Sequence, residues 1–502
     1  MENSKFADKD VINNIREKWD IFFVFLMIFF GISFSLIRIC KFCPDNDAYF
    51  LIATGREILN TGKIPIENIW TWHEGLKIII QQWTICILNA FVYDKFGRYG
   101  LLILTIILTL LLFFIIWKFI KSYIPDNKFG SMVFFISSIL CMNLYCTRPQ
   151  IFSCMIMLTE IIICELFYDK KINKITYIII LSILSLCLIN IHAAMWFMLF
   201  LIPFAYACPD ITKCTSIRKT LKVTVEEWGK IKNILFPLIP MFVLGFINPN
   251  GLKGITYVYD SFASGYHAEY INEMQPVDCV PYMIFPVITA VIYTIYKDKV
   301  KLPHIYLAIG LYILALMNKR SMWMMLIPII QCSSYPIRYF FIEKGKVFSR
   351  LSELFFAIIF TIPVLMILSH IPGDIIKEPE TETKIRPIME ALDKENKNGM
   401  RLYNNYFLGP YLEMNGYKVH IDARAEAFMK KINGVYDYYN EFCDVGLGNA
   451  DMNAFMDKYD FTHLIVTTGE KGDALAAYML NNDRYEIICK TDDYILYKKK
   501  TE

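Results

Sequence analysis

The chain has 502 residues, of which 55% are hydrophobic and 20% charged, and its mean hydropathy is +0.38. A soluble domain carries roughly 25% charged residues, so this composition excludes a soluble enzyme, a disordered protein and a collagen-like fibre. The net charge of +3 gives no basic surplus of the kind a nucleic-acid binder needs.

Long apolar runs recur from Ile21 to Ile371 and then stop. The clearest are Ile21–Ile37, Leu101–Ile120, Phe129–Cys146, Ile151–Phe167, Ile175–Ile191, Ile234–Ile247, Met322–Gln331 and Leu354–Ile371. Since about 20 apolar residues make one crossing helix, the pattern predicts an α-helical polytopic membrane protein with about eleven transmembrane helices over residues 1–371. Short segments among them suit helices buried among other helices. With the N-terminus in the cytoplasm, the lysine and arginine clusters fall on the cytoplasmic side, as the positive-inside rule requires. This leaves a long first outer loop, residues 38–100, and places everything after Ile371 outside the cell membrane. Met1–Trp19 is too polar for a secretory leader and reads as a cytoplasmic tail before a signal anchor.

Within the first outer loop, Ala48–Asn60 and Gln82–Tyr93 are amphipathic at helical spacing, the pattern of helices lying on a membrane surface. Residues 372–502 change character. Charges become dense, and strand-like runs (Arg401–Tyr403, Lys418–Ile421, His463–Thr467, Tyr485–Cys489, Tyr494–Tyr497) alternate with helix-like ones (Met452–Tyr459, Asp473–Leu480). That pattern predicts a C-terminal soluble α/β domain outside the membrane.

The chain has no GxxxxGK[ST] phosphate loop and no GxSxG elbow, and His73-Glu74 lacks the second histidine of HExxH. Asp45 and Asp47 follow the first apolar run. Asp47 is placed to cap the helix that follows, with Asp45 a loop charge, or to act as a general base at the membrane surface. Two carboxylates this close could also hold a divalent cation. On the outer helix ends, Arg148 and Arg320 read as interfacial or snorkelling arginines, His192 as a hydrogen-bonded structural residue, and Asn248-Pro249-Asn250-Gly251 as a turn. Glu273, in a later outer loop, is a solvated charge by default. All of these candidates fall on one side of the membrane, and ionisable groups at membrane depth are functional suspects.

The order of these motifs resembles the bacterial polytopic glycosyltransferases of the GT-C superfamily, in the group with a soluble C-terminal domain. The matching residues are Asp47-Ala48-Tyr49-Phe50 through Gly55-Arg56 to Gly62-Lys63-Ile64-Pro65, and Gln81-Gln82-Trp83-Thr84. They continue with Arg148-Pro149-Gln150, Asn190-Ile191-His192, Asn248-Pro249-Asn250-Gly251, Glu273 and Arg320. In the soluble part they are Gly409-Pro410-Tyr411-Leu412 and His420-Ile421-Asp422-Ala423-Arg424. Two positions depart from that pattern: Leu51 stands where the group often has histidine, and Gln82 where it often has an acidic residue.

The resemblance implies a transferase moving a sugar from a polyprenyl-phosphate donor to an envelope glycan, lipid or protein acceptor on the outer face, with inversion. Asp47, with Asp45, would be catalytic. Arg148, Arg320, His192 and Lys253 would bind the donor phosphate. Glu273, Asp422 and Arg424 would bind the acceptor or cap the site; an Asp422–Arg424 surface pair that only holds a loop is the alternative for the last two. No cofactor follows, beyond a divalent cation between Asp45 and Asp47. Two other readings compete. One is a glycan polymerase or oligosaccharide ligase using a pyrophosphate-linked donor, and the other is a non-enzymatic transporter, for which no repeat symmetry is visible.

Overall fold

The computed structural model describes residues 2–209, 217–262, 275–277, 280–339, 378–468 and 474–500. Among the described residues, four helices are long and apolar enough to cross a membrane: Lys18–Lys41, within α1 (Glu2–Phe42), α3 (Trp83–Tyr123), α5 (Pro149–Tyr168) and α6 (Lys174–Ile191), with α2 (Asn46–Thr61) and α4 (Asn127–Leu140) between them. Shorter apolar helices are Asn127–Leu140, Ala193–Ala207, Tyr282–Ile295 and Leu302–Met317. The remaining helices of this part are α7 (Met198–Ala207), α8 (Ile217–Leu235), α9 (Leu238–Leu244), α10 (Leu252–Phe262), α11 (Val280–Ile295), α12 (Leu302–Met317) and α13 (Leu326–Ile337).

The run Ile234–Ile247 is not one helix: it breaks around Pro237 and leaves only seven residues in α9. The run Leu354–Ile371 lies outside the described residues. The buried side chains of α3, α5, α6, α7, α12 and α13 form one continuous apolar core.

Two sequence expectations change in the first loop. Gln82–Tyr93 is not separate from Leu101–Ile120; both belong to α3, which kinks at Gly97 (φ 60°, ψ −156°), a backbone region that glycine tolerates best. The other amphipathic stretch, α2, is capped by Asp45 at its start and by left-handed Gly62 at its end, whose N–H donates to Ile58 O at 2.8 Å. Its residues Ala48–Gly55 are all buried, because protein covers them. One cover is α3, where a Cβ on Gly55 would stand 1.9 Å from Cys86 O. The other is the C-terminal part, through the edge-on ring contact Tyr49–Tyr411.

Residues 380–500 build a four-stranded sheet in the order β1-β2-β4-β3, with helices on its faces. In chain order these elements are α14 (Glu380–Leu392), β1 (Leu402–Tyr403), α15 (Gly409–Met414), α16 (Lys430–Asn433), α17 (Tyr438–Leu447), α18 (Met452–Tyr459), β2 (His463–Thr467), α19 (Ala474–Met479), β3 (Tyr485–Lys490) and β4 (Tyr494–Lys499). β1 pairs with β2 in parallel, at Leu402↔His463, and β2–β4–β3 is antiparallel, with Ile465↔Leu496 at its centre. One face packs Ile465 and Leu496 on Ile385, Ile388 and Leu392 of α14. The other packs Leu464 and Val466 on Phe455, Tyr459 and Phe461.

The run Lys418–Ile421 is not a sheet strand. Val419 makes a single bridge to Thr71 of the first loop, its N–H donating to Trp70 O at 3.0 Å and its carbonyl accepting from Thr71 Oγ1 at 2.7 Å. A shared apolar cluster seals that seam, joining Phe50, Leu51, Trp70 and Ile78 to Ile421, Phe428 and Tyr439. The first loop and the C-terminal part are thereby packed as one body around the site.

A pair of histidines is buried in the same seam. His73 Nε2 lies 3.1 Å from His420 O, and the two imidazoles sit among Trp72, Tyr438, Tyr459 and Phe461. Burial, with nearby Lys458 as a smaller influence, pushes His73 down to about 3 and His420 well below the ordinary histidine value. Both rings are therefore neutral in the fold, whereas in an unfolded chain they protonate near ~6.5. Below that pH the unfolded state binds protons that the folded state excludes, so this contribution to stability is present above pH ~6.5 and lost as the pH falls beneath it. A falling Tm between pH 7.5 and 5.5 is expected for the purified protein, with a shallower fall in His420→Phe. An identical slope in the two proteins would contradict this assignment.

Candidate active site

Asp45, not Asp47, is the N-cap of α2. Its Oδ1 accepts from Ala48 N at 3.2 Å. Asp47 therefore lies in the first turn of the helix and lines a cavity of about 710 Å³, within the size range of small-molecule sites.

Arg148 approaches this turn from the opposite side. The following Pro149 occupies N1 of α5 and holds Arg148 extended (φ −94°, ψ 159°) at the N-cap position. From there the guanidinium joins the two carboxylates, with Nε on Asp45 Oδ2 and Nη1 2.9 Å from Asp47 Oδ2. Burial, the largest influence, pushes the Asp45 carboxyl above its ordinary value and Asp47 adds to the push, while Arg148 opposes them.

Arg320 enters from the short 3₁₀ helix Lys319–Met325. The side chain of Asn318 caps that helix, accepting from Ser321 N at 2.9 Å. With its amide oxygen turned to the guanidinium, Gln150 accepts from Arg320 Nη2 and, at 2.9 Å, from Nε. His192 lines the same cavity, its Nδ1 2.7 Å from Ser153 Oγ. Burial, with Arg320 adding to the effect, pushes its pKa down to about 3.

The C-terminal part closes the cavity with Tyr406, Phe407, Ala423, Arg424 and Glu426. Arg424 is buried between two acids. Its Nη2 lies 2.5 Å from Asp422 Oδ2 and 2.8 Å from Glu413 Oε1, and its guanidinium rests over Trp70 at 4.9 Å and Phe50 at 5.4 Å. Burial raises Glu413 well above the carboxylate range; burial pushes Asp422 the same way, but Arg424 outweighs it and holds that group low. The cluster thus holds the Arg424 guanidinium between the carboxyl groups of Asp422 and Glu413. Asp422 and Arg424 are a buried pair, not a surface one. Asp422 is fully covered and absent from the cavity wall, so its place is to hold Arg424 rather than to meet an acceptor.

Of the other expected site residues, Lys253 is exposed on α10 and outside the cavity lining, and Glu273 lies outside the described residues. The remaining motif pieces converge behind the cavity. Trp83 Nε1 donates to Asn190 Oδ1 at 3.1 Å, Asn190 Nδ2 to Ile247 O at 2.9 Å, Asn250 Nδ2 to Ile80 O at 3.0 Å, and Ala194 N to Gln81 Oε1 at 3.0 Å.

Three solved structures share this architecture. The apo oligosaccharyltransferase of Archaeoglobus fulgidus matches with a TM-score of 0.56 and 10% identity, over 90% of this chain and 70% of that one. The archaeal oligosaccharyltransferase AglB from Archaeoglobus fulgidus, in complex with an inhibitory peptide and a dolichol-phosphate, gives 0.57 and 11% over 90% and 69%. The form tethered through a disulfide to an acceptor peptide with the NVT sequon gives 0.56 and 11% over 89% and 69%. The fold is the one these oligosaccharyltransferase structures share. No protein-family model and no curated protein matches the chain.

On this frame the paired carboxylates do not fit a divalent cation. Hard cations take six or more oxygen ligands. Here Asp45 spends one oxygen on Ala48 N and the other on Arg148, and Asp47 gives Oδ2 to Arg148. Among the described residues no group of three His, Cys, Asp or Glu side chains converges. The positive charge between the two acids is the guanidinium of Arg148.

Several lining residues carried no weight in the sequence reading. Tyr257 of α10 donates to Glu426 Oε1 at 2.7 Å, tying α10 to the C-terminal part across the cavity. Tyr406 and Phe407 extend from the end of β1. The only sequence signal for them is the Asn404-Asn405 pair, a turn-forming dipeptide.

Proposed function

We propose that this protein is a membrane glycosyltransferase that moves a sugar from a polyprenyl-phosphate donor to an acceptor hydroxyl on the outer membrane face. The observation that carries the reading is one cavity holding a carboxylate, Asp47, beside two arginines, Arg148 and Arg320, on a GT-C fold. In this reading residues 1–371 are the transmembrane part, with the N-terminus cytoplasmic, and residues 372–502 form an extracytoplasmic unit that caps the cavity and meets the acceptor. The four long apolar helices and the distribution of lysine and arginine support that placement.

Asp47 takes the proton of the acceptor hydroxyl as its oxygen attacks the anomeric carbon. The bond from that carbon to the phosphate oxygen breaks on the opposite side, the anomeric carbon inverts, and the lipid phosphate leaves as an anion. Arg148 and Arg320 face the charge that grows on that phosphate, and such electrostatic stabilisation is usually the largest contribution to catalysis. Guanidinium geometry matches phosphate oxygens in pairs. Arg320→Ala is expected to raise the KM for donor about ten- to a hundredfold, the loss of one charge-assisted hydrogen bond. The KM for acceptor should stay within a factor of two to three, and equal rises for both substrates would refute the phosphate role.

A second reading has its own support. The solved neighbours are oligosaccharyltransferases, which supports transfer of a preassembled glycan; such a ligase reading includes a pyrophosphate-linked donor. Mass spectrometry of the lipid released by purified protein in proteoliposomes separates the two. Polyprenyl monophosphate from a monophosphate-linked sugar supports the first reading, and turnover of only a pyrophosphate-linked donor supports the second.

A further inference from the structure

The cavity wall on the C-terminal side contains a ring that internal packing does not explain. Phe407 lines the cavity and is 68% exposed, although burying a phenylalanine side chain is worth roughly 1.5–3 kcal/mol. Its loop is nevertheless held in place. Phe407 N donates to Asn405 Oδ1 at 2.8 Å, Leu408 N to Asn405 O at 3.0 Å, and Tyr406 OH to Ala423 O at 2.8 Å. Asn404 ties the base of the loop down, its Nδ2 donating to Ile421 O at 2.7 Å and its Oδ1 accepting from His420 N at 2.8 Å. Gly409 then packs so closely on Ile421 and Asp422 that a Cβ there would meet Ile421 O at 2.4 Å. The ring of Phe407 is therefore presented to the cavity by a fixed turn, with Tyr406 edge-on at 5.4 Å. Glu426 lies on the same wall, one oxygen engaged by Tyr257 at 2.7 Å.

We propose that Phe407, with Tyr406 and Glu426, is the acceptor subsite and that it takes a pyranose ring, which makes the acceptor a glycan. The proposal rests on the transferase reading above. A pyranose carries an apolar face of axial C–H groups and a rim of hydroxyls, so it needs a flat ring to stack on and a carboxylate within reach of its edge. A lipid tail needs an unbroken apolar wall, and here the rings alternate with a carboxylate and a tyrosine hydroxyl. Few polar groups placed on a largely apolar pocket are what orient a small ligand.

The test is saturation-transfer NMR on the full-length protein in nanodiscs, with a panel of methyl pyranosides and, separately, an acetylated Asn-Val-Thr peptide amide. At least one methyl pyranoside is expected to receive saturation at its ring C–H protons. Its affinity should fall about tenfold in Phe407→Ala, the loss of one ring-stacking contact, and recover in Phe407→Trp. This binding is read with no donor present and no turnover, so failure of transfer alone would leave this subsite standing. Absence of any pyranoside signal in wild type, an unchanged affinity in Phe407→Ala, or Phe407-dependent binding of the peptide in place of the sugars would each overturn the proposal.

Discussion

Replacing Arg424 with alanine should collapse the junction between the first loop and the C-terminal part. Arg424 is buried between Asp422, whose carboxyl it holds low, and Glu413. Removing one member of a buried ion pair leaves an uncompensated charge and costs about 3–5 kcal/mol. The guanidinium also lies over Phe50 and Trp70, which belong to the cluster joining α2 to residues 421–439, so apolar contact is lost with the charge. A marked fall in Tm and rapid proteolysis between residues 392 and 430 are the expected signs. Arg424→Ala combined with Asp422→Asn should recover part of the loss, because the stranded charge is then gone. If Arg424→Ala melts like wild type, the pair is not what holds this seam.

Asp47→Asn should lower the transfer rate by about 10²–10⁴-fold, the usual contribution of a positioned general base, while the protein still folds and inserts. The amide keeps the shape and can still accept from Arg148, but it cannot take a proton. The fold has little reason to change, since Asp45 and not Asp47 supplies the cap of α2. Asp45→Asn gives a useful contrast. An amide oxygen still caps a helix, so its effect should run through the position of Arg148 and be smaller. Near-normal turnover in Asp47→Asn would remove this residue from the chemistry.

Much of the site was legible because its pieces are helix ends. Arg148 before Pro149, Asp47 after an apolar run and Arg320 at the start of another are each visible as polar residues at one end of membrane helices. The chain brings three such ends to one cavity. What the sequence concealed depends on partners far away or on a shift of one turn. Asp45 and Asp47 are both good caps, and helix boundaries are placed only loosely from sequence, so Asp47 could be read as cap or as base, whereas the cap is Asp45. Asp422 and Arg424 could be read as a surface pair because their burial depends on Glu413 and on the packing of Gly409 against Ile421 and Asp422. His73 was read only as part of a failed zinc motif, since its partner His420 lies 347 residues later. Lys253 shares a turn with the convergent Asn248–Gly251 segment, yet helix phase points it away from the cavity. Phe407 had only the Asn404-Asn405 turn signal before it, and a turn dipeptide does not distinguish a phenylalanine held open from one that fills a core.

The central claim is that this cavity transfers a sugar to an envelope glycan and that Asp47 drives the transfer. Mass spectrometry of envelope glycans from a deletion strain, carrying either the wild-type gene or Asp47→Asn, tests it most directly. One sugar missing in the deletion, restored by wild type and still missing with Asp47→Asn at equal protein level, is the predicted result. Full restoration by Asp47→Asn, or no glycan change in the deletion, would contradict the account.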